Sequence, residues 1–151
     1  MKVFIGADHR GFDYKKKIIA SLARRSDLQI LDVGTNTSEQ SCDYPQIAYQ
    51  VARQVAKNKN SRGILVCMSG NGQVIAANKI KGAYAALCIN TEAAQLARGH
   101  NNANILVVGA KFTKKNELPK IIQTFLTAPF EGGRHLRRFN QIKKIEKGQK
   151  V

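Results

Sequence analysis

The chain has 151 residues, 43% of them hydrophobic, which suits one domain with a full core and no need of staples. Lysine and arginine number 25 against 10 aspartate and glutamate, a net charge of +15. No apolar run reaches membrane-spanning length, the three cysteines form no CxxC or Cys/His pattern, and Met1-Lys2-Val3-Phe4 begins directly as a strand. A membrane span, a signal peptide, a zinc framework and a secreted disulfide scaffold are therefore set aside. Cys42, Cys67 and Cys88 as unpaired thiols suit a reducing cytoplasm. The basic surplus fits either a nucleic-acid partner or a surface that steers small anions. The basic residues are spread along the chain, and none of their runs alternates with aromatics as in a single-strand binder. That pattern argues against nucleic acid as the main partner.

Lys2 to Ala7 reads as a first strand, ending in Gly6-Ala7-Asp8-His9-Arg10-Gly11. Phe12 to Arg25 reads as a helix with Ile18, Ile19, Leu22 and Ala23 toward the core. Leu28 to Val33 is a second strand, and Thr35 to Cys42 a polar loop. Asp43-Tyr44-Pro45 opens a second helix, with proline where a first turn tolerates it. Its buried stripe is Ile47, Val51 and Val55.

Ile64 to Cys67 is an apolar run that enters Met68-Ser69-Gly70-Asn71-Gly72 and then an alanine-rich segment. This is the pattern of a buried parallel strand, a glycine loop and a helix start. Gly82 to Ile89 reads as a fourth strand, and Thr91 to His100 as a fourth helix capped by Asn90 or Thr91. Ile105 to Val108 is a fifth strand and Thr113 to Leu126 a fifth helix. A last helix, Arg134 to Lys147, carries Leu136, Phe139, Ile142 and Ile145 on one side. Strands alternate with helices throughout, so a single α/β domain over residues 1–151 is expected, with a parallel sheet covered on both faces. The last helix has no obvious face left to cover. Its stripe suits a symmetric partner subunit, though packing on its own domain remains open.

Ligands in such sheets bind beyond the carboxyl ends of the strands. Asp8-His9, the loop after Cys67, and Lys111 all fall there. Cys67 is either a small buried hydrophobe or a base. A thiol at a helix start among basic groups is expected to favour its thiolate. Backbone N–H groups from Met68 to Gly72 could hold an oxyanion beside it. The Walker lysine and the GxGxxG spacing are both missing, which argues against a nucleotide loop. His100, in the string HNNAN, is either a helix cap or an acid/base group. Arg134 and Arg138 at i, i+4 are either a solvated face or a fork for phosphate.

Together these segments resemble the type B ribose-5-phosphate isomerases, with the related allose- and galactose-6-phosphate isomerases. The resemblance rests on GADHRGF, on Asp43-Tyr44-Pro45, on SGNG followed by IAANK, on ARGHNNAN around His100, and on FEGGRH. It covers nearly the whole chain. It implies a Rossmann-like three-layer domain with a five-stranded parallel sheet. It also implies a homodimer, or a homotetramer, with shared active sites and the C-terminal helix at the interface. The implied reaction interconverts ribose 5-phosphate and ribulose 5-phosphate, a pentose phosphate pathway step, without metal or cofactor. By the same resemblance Cys67 is the base and His100 the ring-opening group. Ser69 polarises the substrate, Asp8 and Asn101 hold sugar hydroxyls, and Tyr44 lines the pocket. His9, Arg134 and Arg138 hold the phosphate, and the N–H groups of Met68, Ser69, Gly70, Asn71 and Gly72 stabilise the enediolate.

Three positions depart from the family pattern. Met68-Ser69 replaces Gly-Thr, which keeps the hydroxyl and adds bulk. Gln73 stands where some relatives carry a glutamate base, so this chain falls with the cysteine users. Lys111 replaces a phosphate-contacting arginine, keeping charge and losing the fork. The competing expectations are the same machinery on a six-carbon phosphate such as allose 6-phosphate, and a basic binding module without catalysis.

Overall fold

The computed structural model describes all residues, Met1–Val151. Its strands are β1 (Lys2–Ala7), β2 (Gln29–Asp32), β3 (Arg62–Cys67), β4 (Ala85–Leu87) and β5 (Ile105–Gly109). Its helices are α1 (Phe12–Leu22), α2 (Tyr44–Lys57), α3 (Asn71–Ala77), α4 (Thr91–Gly99), α5 (Leu118–Thr127) and α6 (Gly133–Glu146). The sheet runs β2-β1-β3-β5-β4, and every pairing is parallel. The expected α/β architecture is present, with helices on both faces.

The central strands are apolar on both sides because both sides are covered. Val3, Ile5, Ile64, Val66, Leu106 and Val108 face one core, with Ile18 of α1 and Ile121, Ile122 and Phe125 of α5. Phe4, Leu65, Ile105 and Val107 face the other, with Ile47, Val51 and Val55 of α2. Alternation puts Asp8 and Cys67 on this second side, at the carboxyl ends of β1 and β3. These neighbours are linked by crossovers in opposite directions, which opens a crevice between them.

Several element ends differ from the sequence expectation, each for a local reason. α1 stops at Leu22 with Ala23 as its cap, because Arg24-Arg25-Ser26 is polar and Arg25 turns to pair with Asp27 at 2.6 Å. β4 is three residues long. The Asn104 side chain takes the Tyr84 N–H and the Gly82 carbonyl, and Asn78 takes both backbone groups of Ala85. Asn104 thus replaces the ladder ahead of the strand, and Asn78 covers its open edge. α5 starts only at Leu118, with Pro119 in its first turn, after a lysine-rich turn. Asn90 is the cap of α4, accepting from the Ala93 N–H at 2.8 Å.

The stripe on α6 splits. Phe139 is buried on its own domain, edge-on to Tyr84 at 4.7 Å. Leu136, Ile142 and Ile145 are 46%, 41% and 59% exposed, so the helix keeps an uncovered apolar face. Within the core, Phe125 is fully buried. Phe125→Ala is expected to lower the unfolding free energy by about 3–5 kcal/mol in chemical denaturation. A loss within ~1 kcal/mol would mean that the site collapses without leaving a cavity.

Candidate active site

The parallel register pairs Ala7 with Val66, so the next residues, Asp8 and Cys67, meet across the crevice. The Cys67 thiol donates to Asp8 Oδ2 at 2.7 Å. Asp8 Oδ1 accepts the N–H groups of Arg10 and Gly11 at 3.0 and 2.9 Å. The carboxylate is 4% exposed and is fixed by three donors. Burial, the hydrogen bond to Asp8 and the Asp8 charge push the Cys67 thiol up to about 11, against partial relief from the N–H groups of Gly70 and Met68. The sequence expectation of a favoured thiolate is therefore corrected. The glycine loop does direct N–H groups at the sulfur, but burial and a neighbouring carboxylate outweigh them, and free Cys67 holds its proton.

The loop itself has the conformation the glycines predict. Gly70 adopts φ +83° where it enters α3, a region that side chains resist. The N–H groups of Asn71, Gly72 and Gln73 find no acceptor within the chain, as at any helix start. Gly72 lies against the Tyr44 ring so closely that a β-carbon there would sit 2.5 Å from it. Tyr44 thereby belongs to the Cys67 side of the site. Met68 is 38% exposed, and its carbonyl accepts the Lys111 N–H at 2.9 Å. Ser69 is partly exposed beside it. His9 is held by its ring, with Nδ1 accepting the Cys42 N–H at 3.3 Å. Lys15, 1% exposed, fixes the same loop by bonding Asp32 and the Thr35 carbonyl.

The remaining expected residues form a second group. His100 caps the end of α4, with Asn101 exposed beside it. Arg134 and Arg138 are exposed on the first turns of α6. Two residues that sequence reasoning did not single out join them. His135 stacks on His100 with ring centres 4.0 Å apart, and Glu131 Oε2 lies 3.5 Å from His100 Nε2 and 3.7 Å from His135 Nε2. Burial, helped by His100 and the two arginines, lowers the pKa of His135. Both residues stood in the FEGGRH string, and their i, i+4 spacing was the signal available. His100, His135 and Arg138 line a cavity of ≈ 180 Å³ with Asn101, Phe139 and Ile142.

The ligand atoms of His100, Glu131 and His135 lie within 4.8 Å of one another. As a metal set they fit poorly. The two rings are parallel to within 11°, so their in-plane lone pairs do not converge on one ion. The cavity lined by His100 is not lined by Cys67, Asp8 or the glycine loop. The expected residues thus fall into two groups. One carries a thiol, a carboxylate and a donor loop, and the other two imidazoles and a guanidinium pair.

Known proteins share this sequence pattern and fold. The family model for Ribose/Galactose Isomerase matches residues 3–142. A probable ribose-5-phosphate isomerase B of Mycoplasma genitalium is 43% identical over 96% of this chain and 95% of that protein. The solved ribose-5-phosphate isomerase B of Clostridium thermocellum superposes with a TM-score of 0.92 at 41% identity, covering 98% of this chain and 99% of that one. The Mycoplasma genitalium enzyme, solved with bound ribulose-5-phosphate, gives 0.90 at 43% identity over 97% and 96% of the two chains. The chain belongs to the ribose/galactose isomerase family.

The electrostatics of Cys67 are open to a direct test. Asp8→Asn removes the charge that helps hold the proton, so the thiol pKa falls and more thiolate is present at mildly alkaline pH. Alkylation of the Cys67 peptide by iodoacetamide, followed by mass spectrometry, is expected to speed up several-fold. A rate equal to wild type would show that burial alone sets the pKa.

Proposed function

We propose that the chain is an aldose–ketose isomerase that interconverts D-ribose 5-phosphate and D-ribulose 5-phosphate. The observation that carries this reading is the Cys67 thiol, set against Asp8 and beneath a loop of N–H donors, in a chain of this family. Isomerisation of this kind needs one base, a site for the enediolate oxygen and an anchor for the phosphate. The chain has a residue for each.

His100, beside the Glu131 carboxylate, moves a proton during ring opening. Asp8 and Asn101 hold sugar hydroxyls. A substrate hydroxyl that takes Asp8 Oδ2 frees the thiol from its hydrogen bond and removes one cause of its raised pKa. Cys67, once its proton has passed to solvent, works as a thiolate. It takes the C2 proton, the electron pair moves to the C1 oxygen, and the enediolate forms. The C2 hydroxyl proton passes to the C1 oxygen, and the proton held by Cys67 is returned to C1, which gives the ketose. Ser69 polarises the carbonyl, and the N–H groups from Met68 to Gly72 stabilise the oxyanion. Such donors are typically worth about 3 kcal/mol each in barrier. Tyr44 closes the side of the pocket. His9, Arg134 and Arg138 anchor the phosphate, and Lys111 contributes charge without a fork.

The division of the site residues into two groups and the uncovered face of α6 support a homodimer in which Cys67 of one chain works with His100 and the arginines of the other. A dimer of such dimers fits equally. One domain over residues 1–151, working in the cytoplasm within the pentose phosphate pathway, completes the reading. The three thiols are free, as a reducing compartment keeps them, and no helix is long and apolar enough to cross a membrane.

Cys67→Ala is expected to cut ribose 5-phosphate turnover by about a thousandfold or more with the fold intact. Assayed alongside, allose 6-phosphate is expected to turn over poorly, and the reverse ranking would reassign the substrate to the six-carbon sugar. Sharing across the interface has its own test. Cys67→Ala and His100→Ala, each inactive, are mixed and allowed to exchange chains. Half of the dimers then carry one intact site, so activity is expected to return to about a quarter of wild type. No recovery despite chain exchange would place both groups in one chain.

A further inference from the structure

At the amino ends of the strands, opposite Cys67, lies a second cleft that the isomerase reading does not use. Its volume is ≈ 390 Å³, within the roughly 300–1,000 Å³ of small-molecule sites. Arg62 opens β3 and Arg98 lies in the last turn of α4, and both line the cleft. Lys59 and Lys143 line it too, and no carboxylate does. Glu146 approaches it only through its own partners, accepting the Gly82 N–H at 2.6 Å and the Tyr84 hydroxyl at 3.2 Å. The rest of the polar wall is asparagine, serine and Tyr84.

The two arginines are not used up by the fold. Arg98 is 5% exposed. Its Nη1 donates to the Ala103 carbonyl and to Asn102 Oδ1 at 2.6 and 3.0 Å, while Nε has no partner. Arg62 donates from Nη1 to the Ser61 carbonyl at 2.9 Å, and its Nε is also buried without a partner. Buried donors are normally paired. The two side chains also repel each other. Burial and then the Arg62 charge bring Arg98 down to about 10. Two guanidinium groups with spare donors, lysines beside them and no acid on the wall make a place for an anion. Their forked geometry matches phosphate oxygens.

We propose that this cleft is a second anion site, taking inorganic phosphate or the phosphate of a small phosphomonoester between Arg62 and Arg98. It is separate from the cavity that Arg138 lines beside His100. It also gives part of the +15 charge a purpose other than solubility. Arg98 bonds the turn that presents His100 and Asn101, so an anion that draws on Arg98 bears on that turn.

Phosphate binding is measured by calorimetry on the full-length chain, in wild type and in Arg134→Ala/Arg138→Ala. Tungstate-soaked crystals locate the anion by anomalous scattering. The Arg134/Arg138 variant is expected to keep one phosphate site per chain, with tungstate density between Arg62 and Arg98. Arg62→Met in that background is expected to weaken it at least tenfold. Should that variant fold poorly, Lys59→Glu/Lys143→Glu, which alters only the mouth, is expected to weaken it several-fold. A phosphomonoester that binds tenfold tighter than inorganic phosphate names the organic source, and equal affinity names the free ion. The proposal is overturned if the Arg134/Arg138 variant binds no phosphate, if the cleft variants bind as well as their parent, or if the cleft retains only an RNA oligonucleotide.

Discussion

The structure depends on the pairing of β1 with β3. It places Asp8 beside Cys67 although they stand 59 residues apart in the chain. The pairing in turn rests on the double-sided core, because each central strand presents one apolar set to α1 and α5 and another to α2. A register slip of one residue would exchange those sets. It would also part the thiol from the carboxylate. Packing and chemistry are therefore specified by the same alternation.

Around that contact, the chain uses side chains to set backbone that ordinary ladders leave loose. Asn78 and Asn104 terminate the short edge strand. The buried Lys15 holds the loop that carries Cys42, whose N–H orients His9. A histidine so held would lose less freedom on binding a ligand than a free surface histidine. The second group is built differently. There an imidazole stack and one shared carboxylate line up on a helix end and a helix start, and the arginines are left exposed.

Much of this was legible in the sequence, for identifiable reasons. Hydrophobic runs of strand length and stripes at helical spacing placed all five strands and six helices, because those periods are set by burial. Strand carboxyl ends pointed to Asp8 and Cys67 for a topological reason. The ends of β4 and α5 were not legible, since long-range amide bonds and a proline after a polar turn decide them. The protonation of Cys67 was misread. A helix start and basic neighbours are local and visible in the string, whereas the opposing carboxylate arrives from another strand. Glu131 and His135 escaped because their importance lies in a stack with His100, a tertiary contact. The unpaired guanidinium atoms of Arg62 and Arg98 were invisible for the same reason.

The raised pKa of Cys67 also bears on chemical durability. Peroxides attack the thiolate and carry it toward sulfenic and then irreversible sulfinic acid. A thiol near 11 is ionised at neutral pH only about one time in ten thousand. Cys67 therefore spends its idle time in the form that oxidants leave alone. A base kept ionised between turnovers would be exposed continuously. Here the buried carboxylate that opposes ionisation also shields the sulfur from oxidation.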